Sequence, residues 1–130
     1  MANKKDFKEV LKETLNDIKV EIKDEFDKNF ERKAFFDDKW KPRKNIKAHG
    51  SLMIVSARLR RGIKATVINN SVEFTSDTPY AAVHNEGLRA GRGKGFTMPK
   101  RQFIGDSPKV QEICKEIIEH NINDYLNNLL

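Results

Sequence analysis

Side chains able to do chemistry are sparse in this sequence. His84 and Glu86 stand two apart in TPYAAVHNE. That pairing suits acid–base work when a serine or cysteine nucleophile joins it, and the sequence places none beside it. A run of glycines, Gly87, Gly91, Gly93 and Gly95, is interleaved with Arg89, Arg92, Lys94, Lys100 and Arg101. Such a loop can cradle a phosphate, but this one lacks the Gly-Lys-Ser/Thr ending and follows no buried parallel strand. Cys114 is the single cysteine, which excludes a disulfide framework and a cysteine-based zinc site. His49, His84 and His120 are too scattered for a metal centre. No residue is therefore assigned as catalytic, cofactor-binding or metal-ligating.

Charge is the stronger signal. The 130 residues carry a net charge of +6, unevenly spread. Residues 1–38 are net −2, residues 39–101 net +11 and residues 102–130 net −3, and no acidic residue occurs from Lys39 to Val72. Such a block attracts nucleic acid or an acidic surface, or else it pairs with the acidic flanks of its own chain. Trp40, the only tryptophan, sits among Lys39, Lys41 and Arg43. It is read as a lid on the core with its N–H hydrogen-bonded, the other reading being an exposed aromatic for a base or partner. No apolar run approaches a membrane span, and Met1 to Lys12 lack the apolar core of a signal peptide.

The elements that position these residues read as helix, sheet, helix. Phe7, Val10, Leu11, Leu15, Ile18, Ile22, Phe26 and Phe30 recur at spacings of three and four. They predict a helix from about Lys4 to about Phe35, capped by Asn3 or Asp6, with part of its stripe free to serve a neighbouring subunit. Pro42 stops it, and residues 37–50 read as a loop. Residues 51–61 read as a short helix leading into a strand. Residues 62–76 alternate around Asn69-Asn70, predicting a hairpin in which Val67 faces Val72 and Ala65 faces Phe74. Residues 78–86 suit a helical turn or a strand end, and 87–101 a mobile Gly-rich basic loop. Ser107 and Pro108 open the last helix, whose stripe runs through Val110, Ile113, Cys114, Ile117, Ile118, Ile122, Tyr125, Leu126 and Leu129. Cys114 is expected there as a buried, inert thiol. The expected fold is a single α+β domain over residues 1–130, with the two helices packed on a small antiparallel β-sheet.

Four short motifs in order carry a resemblance. Tyr80, Ala81, Val83, His84 and Gly87, followed by Pro99, Arg101, Phe103, Gly105 and Ser107, resemble the pattern of the phage virion morphogenesis family, also described as tail-completion proteins. Upstream, Trp40 with Pro42 resembles that family's Trp-x-Pro element, and His49-Gly50-Ser51-Leu52 its Thr-Gly-x-Leu element. Order and spacing match over about residues 35–110. Departures are His49 for threonine, Val55 for a serine that falls one place late at Ser56, and Gln102 where proline is common.

The resemblance implies a structural protein of a tailed phage or prophage, without enzyme activity or cofactor. It would be made in the host cytoplasm and act in the virion's tail or neck, at tail completion or the head–tail joint. Its implied partners are copies of itself in a ring and other tail or neck proteins. In that setting His84 ties the loop base to backbone, Gly87 and Gly105 allow tight turns, and Pro99, Arg101 and Phe103 anchor the returning chain. Arg101 is expected to pair with an acidic residue of the first or last helix. The loop's Arg89, Arg92, Lys94 and Lys100 are candidates for contact with a partner or, non-specifically, with DNA. Two other classes remain open: a nucleic-acid-binding module using Trp40, Phe96 and the basic block, and a small ribonuclease toxin relying on His84.

Overall fold

The structure, a computed structural model, describes residues 5–41, 57–78, 81–87, 89–90, 96–97 and 100–129. Pro42, Gly50, Leu52, Tyr80, Arg92, Lys94 and Pro99 lie outside the described residues. Helix α1 spans Phe7–Arg32. Asp6 caps it by accepting a hydrogen bond from the Glu9 backbone N–H at 2.8 Å, which satisfies one of the orphan donors of the first turn. The helix ends three residues before the expected Phe35. Lys33 takes the left-handed conformation (φ 55°) and its N–H donates to the Asn29 carbonyl, a closure that uses up a terminal acceptor. The chain then folds into a ribbon of two-residue strands, the first where the helix was expected to run on and the second where a loop was expected. Strand β1 (Ala34–Phe35) pairs antiparallel with β2 (Asp38–Lys39).

Residues 57–61 are helical (α2) and lead into strand β3 (Ile63–Ile68), as the sequence predicts. Strand β4 (Ser71–Ser76) returns antiparallel. Its register pairs Val67 with Val72 and Ala65 with Phe74, as the alternation requires. Asn69 supplies the positive φ of the turn, 54°. Helix α3 (Ala81–Glu86) resolves the ambiguity of that segment in favour of a helix. Two-residue strands β5 (Arg89–Ala90) and β6 (Phe96–Thr97) then pair across the base of the glycine-rich stretch. Helix α4 (Pro108–Leu129) closes the described chain. The Val110 N–H donates to Ser107 Oγ at 3.1 Å, the N-cap that the sequence predicts.

The fold is α+β, with two long helices and three separate two-stranded antiparallel pairs in place of one continuous sheet. Its core joins Ile22, Phe26, Phe30, Phe35, Leu59, Ile63, Ala81 and Phe103. Edge-to-face ring contacts link Phe26 to Phe74 and to Phe36, a geometry that the aromatic quadrupole favours. Helix α4 departs from expectation, because none of its residues is fully buried. Cys114 is half-buried instead of sealed. Burial and then the nearby Asp106 push its thiol up, so it stays protonated and a poor nucleophile. Helices α1 and α4 meet where Asn121 donates to Thr14 Oγ1 and to Asp17 Oδ2, both at 3.0 Å, and where Phe7 meets Tyr125 edge to face.

Candidate functional site

Most of the described motif residues meet around one segment, Lys100 to Ser107, which carries the chain from β6 back to α4. Phe103 is its anchor, with 0% of its surface exposed. Its ring lies 5.1 Å from that of Phe30, and Phe30 in turn meets Trp40 edge to face at 5.5 Å. Trp40 Nε1 donates to the Gln102 carbonyl at 2.8 Å. The tryptophan thus closes over the core with its polar handle bonded, the arrangement that a half-buried indole requires.

Backbone groups of the same segment are held one by one. The Arg101 N–H donates to the His84 carbonyl at 2.8 Å. Asn85 Oδ1 accepts from the backbone N–H of Phe103 and of Ile104, at 2.8 and 3.1 Å. Asn29 Nδ2 donates to the Phe103 carbonyl at 3.0 Å. Asn29 Oδ1 accepts from Arg32 Nη1 at 2.8 Å and from the Phe36 N–H at 3.0 Å. One fully buried amide therefore ties α1, the β1–β2 ribbon and the returning chain together. A buried backbone group left unpaired costs about 1–3 kcal/mol, so these bonds fix the segment's path.

Two glycines set the ends of this path. Gly87 has φ +71°, and a Cβ there would sit 2.9 Å from the Lys100 Cβ. Gly105 has φ +146°, and a Cβ there would strike the Gln102 side-chain amide. Gly87 needs glycine for conformation and for space, and Gly105 needs it for conformation. Ala81 is buried at the start of α3, where a small side chain lets that helix approach the core. The contact shown for Arg101 runs from its guanidinium to the Lys41 carbonyl at 3.3 Å. His84 is buried. Burial, and then the charge of Arg101, hold its imidazole below the ordinary histidine value, so it is neutral at pH 7.

Sequence reasoning missed Asn29 and Asn85. Asn29 left a trace, since it stands on the apolar stripe between Phe26 and Phe30, where a polar residue calls for a buried partner. Asn85 left none. The arrangement mostly binds side-chain amides and an indole to backbone groups, and among the described hydrogen bonds none joins a nucleophile to a base. Among the described residues no cluster of three or more His, Cys, Asp or Glu is placed to hold a metal, and no helix is long and apolar enough to cross a membrane.

Two further features flank this knot. Arg60 of α2 forks onto Asp27 of α1, at 2.9 Å from Nε and 2.7 Å from Nη2, and reaches Glu31 at 3.1 Å. The hydrogen bond from Arg60 holds the Asp27 carboxyl below the usual carboxylate range. Here the basic middle of the chain pairs with its acidic first helix. The second feature is an apolar trough of about 570 Å³ between β4 and α4, with α1 as its floor. Leu11 and Leu15 line the floor, Val72 and Phe74 one wall, and Cys114 and Ile118 the other.

The profile of the phage virion morphogenesis family matches residues 3–123 of this chain. Over 81 residues, 62% of the chain, the sequence is 31% identical to the Mu-like prophage FluMu G protein 2 of Haemophilus influenzae. The aligned stretch spans 56% of that relative's length. No solved structure matches the chain.

Proposed function

The chain belongs to the phage virion morphogenesis family, and from that premise we propose that it is a structural, ring-forming subunit which completes the tail or joins it to the head. A part in phage morphogenesis follows from membership itself; the tail or neck as its place, the ring and its partners are our reading. The observation that carries it is where the motif residues go. Trp40, Gly87, Phe103 and Gly105 converge on the returning segment and spend an indole hydrogen bond, buried surface and torsional freedom on backbone placement, and the main chains of His84 and Arg101 are bonded to each other there. A catalytic constellation aims polar groups into a cleft where a substrate fits; this one faces inward and fixes a shape. A fixed shape is what a ring subunit contributes, since each copy must present the same two surfaces at the same angle for the ring to close.

The test is quantitative mass spectrometry of purified particles from the parent phage or induced prophage. A few fixed copies per particle are expected, together with unjoined heads and tails when the gene is deleted. Complete, infectious particles that lack the protein would overturn a structural place in the virion.

A further inference from the structure

A cleft of about 520 Å³ between α1 and the start of β3 carries unspent positive charge. Its charged walls are Lys19, Lys23, Asp24 and Asp27 of α1 and Arg60 and Arg61 of α2. The two carboxylates already have cations of their own. Asp27 takes the fork of Arg60, which also reaches Glu31, and Asp24 pairs with Lys28 at 2.9 Å. Lys19, Lys23 and Arg61 have no side-chain hydrogen bond or ion pair among the described residues. Lys23 faces the cleft, since its charge helps to hold the Asp27 carboxyl down. Lys19 is half-buried, a cation that has given up part of its water without gaining an anion. The surplus is local. The next cleft along α1 sets Lys5, Lys12 and Lys19 against Glu9, Glu13 and Asp17, in equal numbers.

The make-up of the walls selects among anions. Lysine is depleted at protein–protein interfaces, whose centres are apolar or aromatic. Here two lysines and two arginines surround one exposed large apolar side chain, Val20. Single-stranded nucleic acid is held on aromatic platforms, and among the described residues no aromatic side chain lines the cleft. The backbone of duplex DNA asks for neither feature, because charges placed at intervals bind it without reading a base. Lys19 and Lys23 stand one turn apart, about 6 Å along the axis of α1. Alternate phosphates of one strand lie about 7 Å apart along the duplex axis. The two lysines are therefore spaced to meet separate phosphates. Arg61, on the α2 side, can meet another, and its planar fork suits two phosphate oxygens at once.

We propose that this cleft docks the phosphate backbone of duplex DNA, with Lys19, Lys23 and Arg61 as the contacting side chains and no preference for sequence. Arg60 has a different task. Its bonds to Asp27 and Glu31 fix α2 against α1, which sets Arg61 opposite the two lysines. The site goes beyond the structural role and does not depend on a ring.

The full chain and four variants test it, by fluorescence anisotropy on a labelled duplex of about 20 base pairs, long enough to cover such a footprint. Three phosphate contacts give a log–log salt slope of about −2.7, so the wild-type affinity is expected to fall at least about fortyfold between 50 and 200 mM sodium chloride. Lys19→Gln, Lys23→Gln and Arg61→Gln remove no ion pair described here and are expected to keep the wild-type circular dichroism and melting temperature. Each should weaken binding on all sequences alike and flatten the slope by about 0.9. Lys115→Gln, on α4 away from the cleft, should change neither. Four outcomes would overturn the site: no binding at 50 mM salt, cleft variants whose slope matches the wild type, an equal loss in Lys115→Gln, or tighter binding to a single strand than to the duplex. Capture by polyglutamate without binding to DNA would likewise overturn it and give the cleft to an acidic protein surface. The copy number in particles tests the structural role independently of all of these.

Discussion

Asn29 carries more of this fold than its size suggests. Its amide is fully buried and reaches three separate parts of the chain: the Phe103 carbonyl, the Phe36 N–H and the Arg32 guanidinium. Replacing it with leucine keeps the branching and heavy-atom count of the side chain but strands the buried Phe103 carbonyl and the part-buried Phe36 N–H. Asn29→Leu is expected to cost about 3 kcal/mol, the sum of two such groups left unmet. Chemical denaturation followed by Trp40 emission measures it directly, because the only tryptophan is bonded to the same segment. A loss below about 1 kcal/mol would show that the segment holds its path without this amide.

At the scale of elements, the tie between α1 and α2 makes its own prediction. Asp27 titrates below its ordinary value because Arg60 hydrogen-bonds its charged form. A carboxylate with a lowered folded pKa stabilises the fold above its unfolded value, about 3.9 for aspartate, and loses that contribution as the pH falls further. Both side chains are partly open to water, which limits the pair to about 1 kcal/mol. Arg60→Ala is therefore expected to lower stability by about that amount at pH 7, with the gap to wild type narrowing in urea melts as the pH falls below about 3.9. A gap of equal size at both pH values would mean that Arg60 acts through packing and not through charge.

The same scale shows how much of the molecule was legible. The stripe of α1, the hairpin register and the Ser107-Pro108 start of α4 were all readable, because each is a local pattern whose period or turn chemistry sets the backbone. The end of α1 was not. Lys33 and Phe36 adopt positive φ without being glycine or asparagine, so no residue type announced the stop. Strands of two residues, as in β1–β2 and β5–β6, are too short to show any alternation. The family motifs singled out Phe103 and Trp40, but not their partners: Trp40 bonds Gln102 across 62 residues of sequence, and the Phe103 carbonyl is bonded by Asn29 across 74. Asn85 was silent because its partners are backbone groups, which look alike at every position.

For the molecule as a whole, charge and assembly separate. The net charge of +6 is carried by the middle of the chain, whereas the trough is lined by uncharged side chains. Salt screens exposed charges but leaves apolar burial intact. If the proposed ring is held through the trough, its dissociation constant is expected to change less than about threefold between about 0.1 and 0.5 M sodium chloride, and to tighten in sulfate, which strengthens burial. Sedimentation equilibrium across that series reads it. A steep weakening with salt would assign the contact to the basic block instead.

The order of the elements has a consequence for synthesis. The trough has α4 as one wall, and α4 follows every other described element in the chain. A ribosome that has delivered the hairpin but not yet α4 holds a chain in which the trough does not yet exist. Any contact that uses the trough is thus held back until translation has passed α4.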